Sequence, residues 1–250
     1  MSGAVVEGID DTQVAAWFSV HVPSSIPPFE FELIAGGHSN LTYKVVDQVG
    51  NAFVLRRPPL GHVLATAHDM AREHRIVTAM GTTDVPVPPT LGVCEDVQIN
   101  GAPFYVMGYV AGEVLHSDAE AELVPLPDRM TLSRQVAEVL AELHSVEPDN
   151  IGLGDLAKRE DYLGRQLRRW SRQWEQSKTR ELPTMEHVHG LLERKKPTQV
   201  GSTIVHGDYR LGNMLTDSSE ILAVLDWELC TLGDPLADVG YLLNNWVDPG

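Results

Sequence analysis

Cysteine is nearly missing from this chain: 250 residues hold two, Cys94 and Cys230, far apart and in no Cys-x-x-Cys spacing. That excludes a disulfide framework, leaves no cysteine set for zinc, and points to a reducing cytosol. Long apolar runs are missing too. No stretch is long enough to cross a bilayer, and the start "MSGAVVEGIDDTQ" has no basic segment leading into an apolar one, so neither membrane insertion nor export is expected. Positive charge is scarce. Lys+Arg 19 against Asp+Glu 35 gives a net charge of -16, which opposes a nucleic-acid backbone and otherwise serves solubility. No internal repeat or low-complexity tract appears. What the chain does have is 43% hydrophobic residues, enough to build a real core in one large domain or two lobes.

The pattern changes along the chain. An amphipathic segment, "DDTQVAAWFSV", predicts a short helix before the break "VPSSIPPF". From Phe31, "FELIAGGHSNLTYKVVDQVGNAFVLRRPP" alternates apolar and β-branched runs with Gly-Gly and "VGNA", as consecutive antiparallel strands do. "ATAHDMAREHRIVTAMG" predicts a helix closed by Gly81, and "DVPVPPT" prevents its continuation. In "CEDVQINGAPFYVM", Asn100-Gly101 predicts a type I′ hairpin between two strands, because both central residues of that turn need positive φ.

Beyond "GYVAGEVL" the chain reads as mainly helical. "MTLSRQVAEVLAELHSV" places Val136, Val139, Leu140 and Leu143 on one helical face, and "EDYLGRQLRRWSRQWEQ" does the same with Leu163, Leu167 and Trp170. One β signal interrupts, "NMLTDSSEILAVLDW", two short strands about Asp217 to Ser219. Immediately before it lies "IVHGDYRLGNML", in which histidine, aspartate, arginine and asparagine share one loop.

Moving a phosphoryl group to a hydroxyl needs a carboxylate near the incoming oxygen, oxygen ligands for a metal, and a cation for developing charge. Asp208 can accept the hydroxyl proton. Asn213 and Asp226 offer an amide and a carboxylate oxygen to magnesium. Arg210 can reach the transferred oxygens, and His206 is read as an organiser of the loop.

"HGDYRLGN", followed by "LDWE" and "GDPLADVG", resembles the aminoglycoside phosphotransferase family of kinase-like enzymes, whose catalytic loop parallels H-R-D-L-x-x-x-N and whose metal aspartate takes the D-F-G role. "GGHSNLTYKV", "FVLRRPP", "HDMAREHRIV", "FYVMGYVAG" and "WELCTLGDPLADVGYLLNNW" are similar to the branch that includes the kinase-like domain attached to some acyl-CoA dehydrogenases. The resemblance runs from about Phe31 to the end.

It implies an α+β, bilobal protein-kinase-like fold: an antiparallel-sheet lobe over 1–107, a hinge at 108–112 and a mainly helical catalytic lobe over 113–250. Relatives of this type continue past the "GDPLADVG" helix, so a truncated C-terminal part with an incomplete acceptor side is expected. The family's activity implies ATP and magnesium as cofactors and a small-molecule hydroxyl as acceptor. Position by position, "GGHSN" resembles the nucleotide loop, with Gly36 and Gly37 admitting the phosphates and Ser39 and Asn40 donating to them. Arg56 falls where kinases place a phosphate-gripping lysine, with Val54 on its face and Glu73 as its helix partner; Arg57, on the other face, is the alternative. In the hinge, the Gly108 carbonyl and the Val110 amide would read adenine, with Met107 behind the ring.

Asp234 and Asp238 are read as caps for the last helix or as anchors of the catalytic loop. His187 and His189 lack neighbouring ligands and are expected on the surface, and the basic runs "RQLRRW" and "LLERKKP" on solvated helix faces, unless they meet an anionic substrate. Acceptor candidates are an aminoglycoside, an amino alcohol such as choline, a macrolide, or a hydroxyacyl coenzyme A ester, toward which the closer motifs lean. A rival reading is a nucleotide-binding pseudokinase or an interaction module for an acyl-CoA dehydrogenase partner.

Overall fold

Strand β3 (Ala52–Arg57) organises the first half of the molecule, because its period-two alternation sends Phe53, Leu55 and Arg57 to one face and Val54 and Arg56 to the other. The structure is a computed structural model and describes residues 6–36, 40–61 and 69–245. Around β3 stand β1 (Glu30–Ala35), β2 (Leu41–Val46), β4 (Thr90–Cys94) and β5 (Phe104–Gly108), in a five-stranded antiparallel sheet ordered β1-β2-β3-β5-β4. Helix α1 (Asp11–His21), capped by the Asp10 carboxylate, lays Val14, Trp17 and Phe18 on the face that carries Tyr43, Phe53, Leu55 and Phe104. Helix α2 (Met70–Met80) covers the opposite face, where Val54, Met70, Tyr105 and Met107 cluster. The part of that expected helix before Asp69 lies outside the described residues.

The Asn100-Gly101 connection differs from the hairpin its dipeptide predicts. Residues Val97–Asn100 form one helical turn, α3, begun by the Asp96 side chain accepting from Gln98 N–H and ended by Gly101 at φ 69°. A type I′ turn needs two successive positive φ values, and Asn100 is not among the residues with one. Tertiary contacts fix Asn100 instead: its side-chain oxygen accepts from Asp10 N–H at 2.9 Å and its carbonyl from Arg57 at 3.1 Å.

Further along come α4 (Asp118–Leu123), α5 (Leu126–Ser145), α6 (Tyr162–Ser177) and α7 (Pro183–Lys195), then β6 (Thr203–Val205), the hairpin of β7 (Met214–Asp217) and β8 (Glu220–Val224), β9 (Thr231–Gly233) and α8 (Leu236–Asn245). Val136, Val139, Leu140 and Leu143 are buried as their spacing predicts. On α6 the expected apolar face does not become core: Leu163 and Leu167 are half-buried and Trp170 is 52% exposed. Tyr162 and Gly164 are the buried residues there, and the Tyr162 ring packs where a side chain at Gly233 would stand. The Arg169 guanidinium lies 5.6 Å over the Trp170 ring, a cation–π contact between neighbours on the same helix.

The chain divides into two compact units, residues 1–139 with 211–228 and residues 140–210 with 229–250. The hairpin β7–β8 therefore belongs with the sheet, and the pair β6–β9 with the later helices. Among the described residues no helix is long and apolar enough to cross a membrane. Cys94 and Cys230 are both buried, and each is a thiol rather than half of a disulfide.

Candidate active site

A cavity of about 420 Å³ opens in the first unit, lined among others by Asn40, Val54, Arg56, Met107, Gly108, Val110, Asn213 and Asp226. Its size falls in the range that takes small ligands. The sheet register explains its two characters. Val54 pairs with Met107, and two residues on Arg56 pairs with Tyr105. An apolar floor and a charged end thus lie about 7 Å apart along β3. Leu215 and Leu225 add apolar wall, and Gly36 lines the rim.

The charged end is a network of ion pairs and hydrogen bonds centred on Arg56 and Glu73. Arg56 meets Glu73 at 3.1 Å and Asp226 at 2.9 Å, and both Arg56 and Glu73 are buried. The Tyr105 hydroxyl donates to Glu73 at 3.1 Å, and the Asn40 amide donates to Glu73 at 3.5 Å and to Glu228 at 3.2 Å. Burial alone would lower the Arg56 pKa, but Glu73, Tyr105 and Asp226 outweigh it and the pKa is raised. Burial pushes the Glu73 carboxyl up, with Arg56 pulling it down. Burial and the Glu73 carboxylate hold Tyr105 well above the usual phenol range, so its hydroxyl stays a donor. Arg57 has another task. On the opposite face it donates to the carbonyls of Gly8 and Asn100, tying β3 to the chain ahead of α1 and to α3.

Asn213 and Asp226 come together through the hairpin. Met214 pairs with Val224, and the N–H of Leu225 donates to the Asn213 carbonyl at 2.8 Å. Asp226 sits at φ 64°, a conformation uncommon outside glycine and one that asparagine and aspartate tolerate best. Together they offer one amide and one carboxylate oxygen. Among the described residues no group of three or more His, Cys, Asp or Glu is placed to hold a metal. That donor set fits magnesium, a hard ion that takes one or two carboxylates and fills its shell with water and substrate phosphates.

The second unit carries the loop after β6. Asp238, on α8 and fully buried, accepts from the successive amides of His206 and Gly207, each at 2.8 Å, and meets His144 Nε2 at 3.0 Å. The His206 ring is fully buried, and its Nδ1 accepts from Asp208 N–H at 3.2 Å. Gly207 has φ 87° and a Cβ there would stand 3.0 Å from Leu229, so the sharp turn requires glycine. Arg210 Nε lies 3.4 Å from Asp208 Oδ1. Burial, then Asp238, raises the Tyr209 hydroxyl pKa. Asp234 caps α8 through Leu236 N–H at 3.0 Å and holds Val200 N–H at 3.2 Å, so the two aspartates divide the tasks expected of them.

Of the residues singled out by sequence, nine line one cavity, Gly36 among them, and Glu73 joins it through Arg56. Asp208, Arg210 and His206 share the loop of the second unit, and Ser39 and Gly37 lie outside the described residues. Three contributors escaped sequence reasoning: Tyr105, Glu228 and His144. Only the glutamate two residues past Asp226, in "LDWE", carried a visible signal. A larger hollow of about 790 Å³, lined by Glu113 and Asp217 among others, has no lysine or arginine among its described lining residues to meet a phosphate.

A five-stranded antiparallel sheet with a helix on each face, followed by helices, the HGD loop and a short hairpin, defines a kinase-like phosphotransferase fold. Residues 30–250 match the phosphotransferase enzyme family, and the chain belongs to it. It is 39% identical over 219 residues to acyl-CoA dehydrogenase family member 10 of Mus musculus, covering 87% of this chain and 20% of that protein. Against acyl-CoA dehydrogenase family member 11 of Gallus gallus it is 36% identical over 210 residues, covering 83% and 27%. The chain thus spans under a third of these curated relatives. A crystal structure from Ralstonia eutropha, provisionally assigned as an aminoglycoside phosphotransferase, superposes with a TM-score of 0.79 at 36% identity, covering 96% of this chain and 71% of that one. The streptomycin-ATP complex of APH(2")-IIa shares the fold at a TM-score of 0.65 and 19% identity, covering 94% and 75%.

Proposed function

We propose that this protein is a small-molecule kinase, using ATP and magnesium to transfer the γ-phosphoryl group to an alcohol. The observation that carries this is the buried Arg56–Glu73–Asp226 network beside Asn213, at the polar end of an apolar cavity. Adenine would lie against Val54 and Met107 and bond the Gly108 carbonyl and Val110 N–H across the 108–112 hinge. Asn40, with Ser39, would donate to phosphate oxygens. Arg56 would meet the α/β-phosphates while Glu73 holds its fork in place.

Asn213 and Asp226 would hold magnesium, which when bound neutralises phosphate charge. Asp208 takes the proton of the acceptor hydroxyl, Arg210 supports the negative oxygens, and His206 holds the loop in the shape that presents Asp208. The acceptor we favour is a hydroxyacyl coenzyme A ester. This rests on the likeness to proteins named acyl-CoA dehydrogenases, of which the matching segment is a minor part.

The direct Arg56–Asp226 contact favours a second reading. A cation already satisfies the carboxylate a metal would need, as suits a nucleotide-binding module that partners an acyl-CoA dehydrogenase without turnover. Calorimetric titration with ATP and magnesium, followed by an ADP-coupled screen over aminoglycosides, choline-type amino alcohols, macrolides and hydroxyacyl coenzyme A esters, separates the two. Turnover on one class is expected. Binding with no turnover on any class supports the module, and absence of nucleotide binding defeats both.

A further inference from the structure

Four of the chain's 19 basic residues, Arg165, Arg168, Arg169 and Arg172, fall within eight positions of α6 although the chain's net charge is -16. Positions 165, 168 and 172 follow the i, i+3, i+7 spacing, so three guanidinium groups share one face. Like charges so placed repel, and among the described residues Arg168 alone is paired with a carboxylate, that of Asp161 at 2.9 Å. The face borders a hollow of about 460 Å³ lined by Arg165, Arg168, Ser171, Arg172 and, from α7, His189.

Two nitrogens in that lining are shielded from water and have no hydrogen-bond partner among the described residues: Nη1 of Arg165, a fixed donor, and Nε2 of His189, a donor in the tautomer that protonates it. An arginine on a merely solvated helix face would keep its donors in water. A shielded donor without an acceptor costs about 1–3 kcal/mol, more when charged, so the Arg165 guanidinium calls for an acceptor that the described residues do not supply. The other Arg165 nitrogen, Nη2, is held by the Leu232 carbonyl at 3.1 Å. Leu232 lies on β9, which pairs with β6, the strand that leads into the HGD loop.

We propose that this hollow between α6 and α7 is an anion site for a phosphate group. Arg165 and Arg172 supply charge-assisted donors, Ser171 a hydroxyl and His189 a ring nitrogen. Among the described residues no carboxylate lines it. A phosphate with several acceptor oxygens matches converging guanidinium groups better than a halide or one carboxylate does. The site is built from the second unit alone and does not depend on the kinase reading. That the phosphate is borne by the acceptor, as on a coenzyme A ester, does rest on that reading.

The test uses the whole chain and measures calorimetric affinity for orthophosphate, coenzyme A and pantetheine, with magnesium-ADP titrated separately. Arg172→Glu removes a donor from the hollow, whereas Arg169→Glu makes the same charge change at the residue lying over Trp170. Arg172→Glu should weaken phosphate-bearing probes about ten-fold or more, the loss of a charge-assisted contact, while Arg169→Glu and ADP affinity stay near the wild type. Preference for coenzyme A over orthophosphate, with pantetheine silent, identifies a phosphate on an organic carrier. Equal affinity for orthophosphate identifies the free anion. Failure of every phosphate probe to bind the wild type, or equal weakening by both variants, overturns the proposal. Loss of ADP binding with the coenzyme A result intact would defeat the kinase reading and leave this site standing.

Discussion

Replacing Arg56 by alanine would strand the Glu73 carboxylate against Tyr105 in the interior of the first unit. Breaking a buried pair by removing one partner costs about 3–5 kcal/mol, so Arg56→Ala should lower the unfolding free energy by that amount in a denaturant titration. Arg56→Lys keeps the charge, loses the fork that spans Glu73 and Asp226, and should cost less. At the proposed catalytic residues, activity rather than stability is the readout. General base catalysis contributes about 100- to 10,000-fold, which bounds the loss expected in Asp208→Ala. Asp226→Ala should reduce ATP turnover further, because it removes the proposed metal ligand and a partner of Arg56 together, and the reverse order of kcat values would count against those roles. Strand alternation separated the faces of Arg56 and Arg57 in the sequence but could not say which face met the cavity. That depended on α1 covering the other side.

At the scale of elements, two anchors govern the second unit. Asp238 joins α8 to two consecutive amides of the HGD loop and to His144 at the end of α5. Asp238→Ala leaves buried donors without acceptors, each worth about 1–3 kcal/mol, so the protein should melt earlier and kcat should fall even though Asp208 is untouched. The other anchor is Asp161, whose carboxyl is held down at about 2 by Lys196 and Arg168. Its folded pKa lies below the ordinary 3.8, so its stabilising contribution is present above that value and disappears as the pH falls toward 2. Carboxyl NMR titration should show the low midpoint in the folded protein, and Asp161→Asn should flatten the acid limb of stability relative to the wild type. The helices themselves were legible from their periodicity. The exposure of Trp170 was not, because the spacing of apolar residues says nothing about whether a neighbouring arginine will cover them.

For the whole molecule, nucleotide binding is the sharpest expectation. A ligand present at 100 times its dissociation constant stabilises the folded state by about 2.7 kcal/mol, so saturating ATP with magnesium should raise the melting temperature measurably, and Asp226→Ala should reduce the shift. The sequence by itself determined the α+β alternation, the HGD-to-Asn spacing and the family, because hydrophobic period and the chemistry of a short loop are local properties. It also placed Asn213 and Asp226 at opposite ends of one hairpin. Only the tertiary structure decided that Tyr105, Glu228 and Asn40 would close the network around Glu73 and that Asn100 would tether α1 instead of turning a hairpin. It also left two shielded nitrogens, on Arg165 of α6 and His189 of α7, in the lining of one hollow. Those outcomes depend on which side chains from distant segments exclude water from a polar group, and no window of neighbouring residues contains that information.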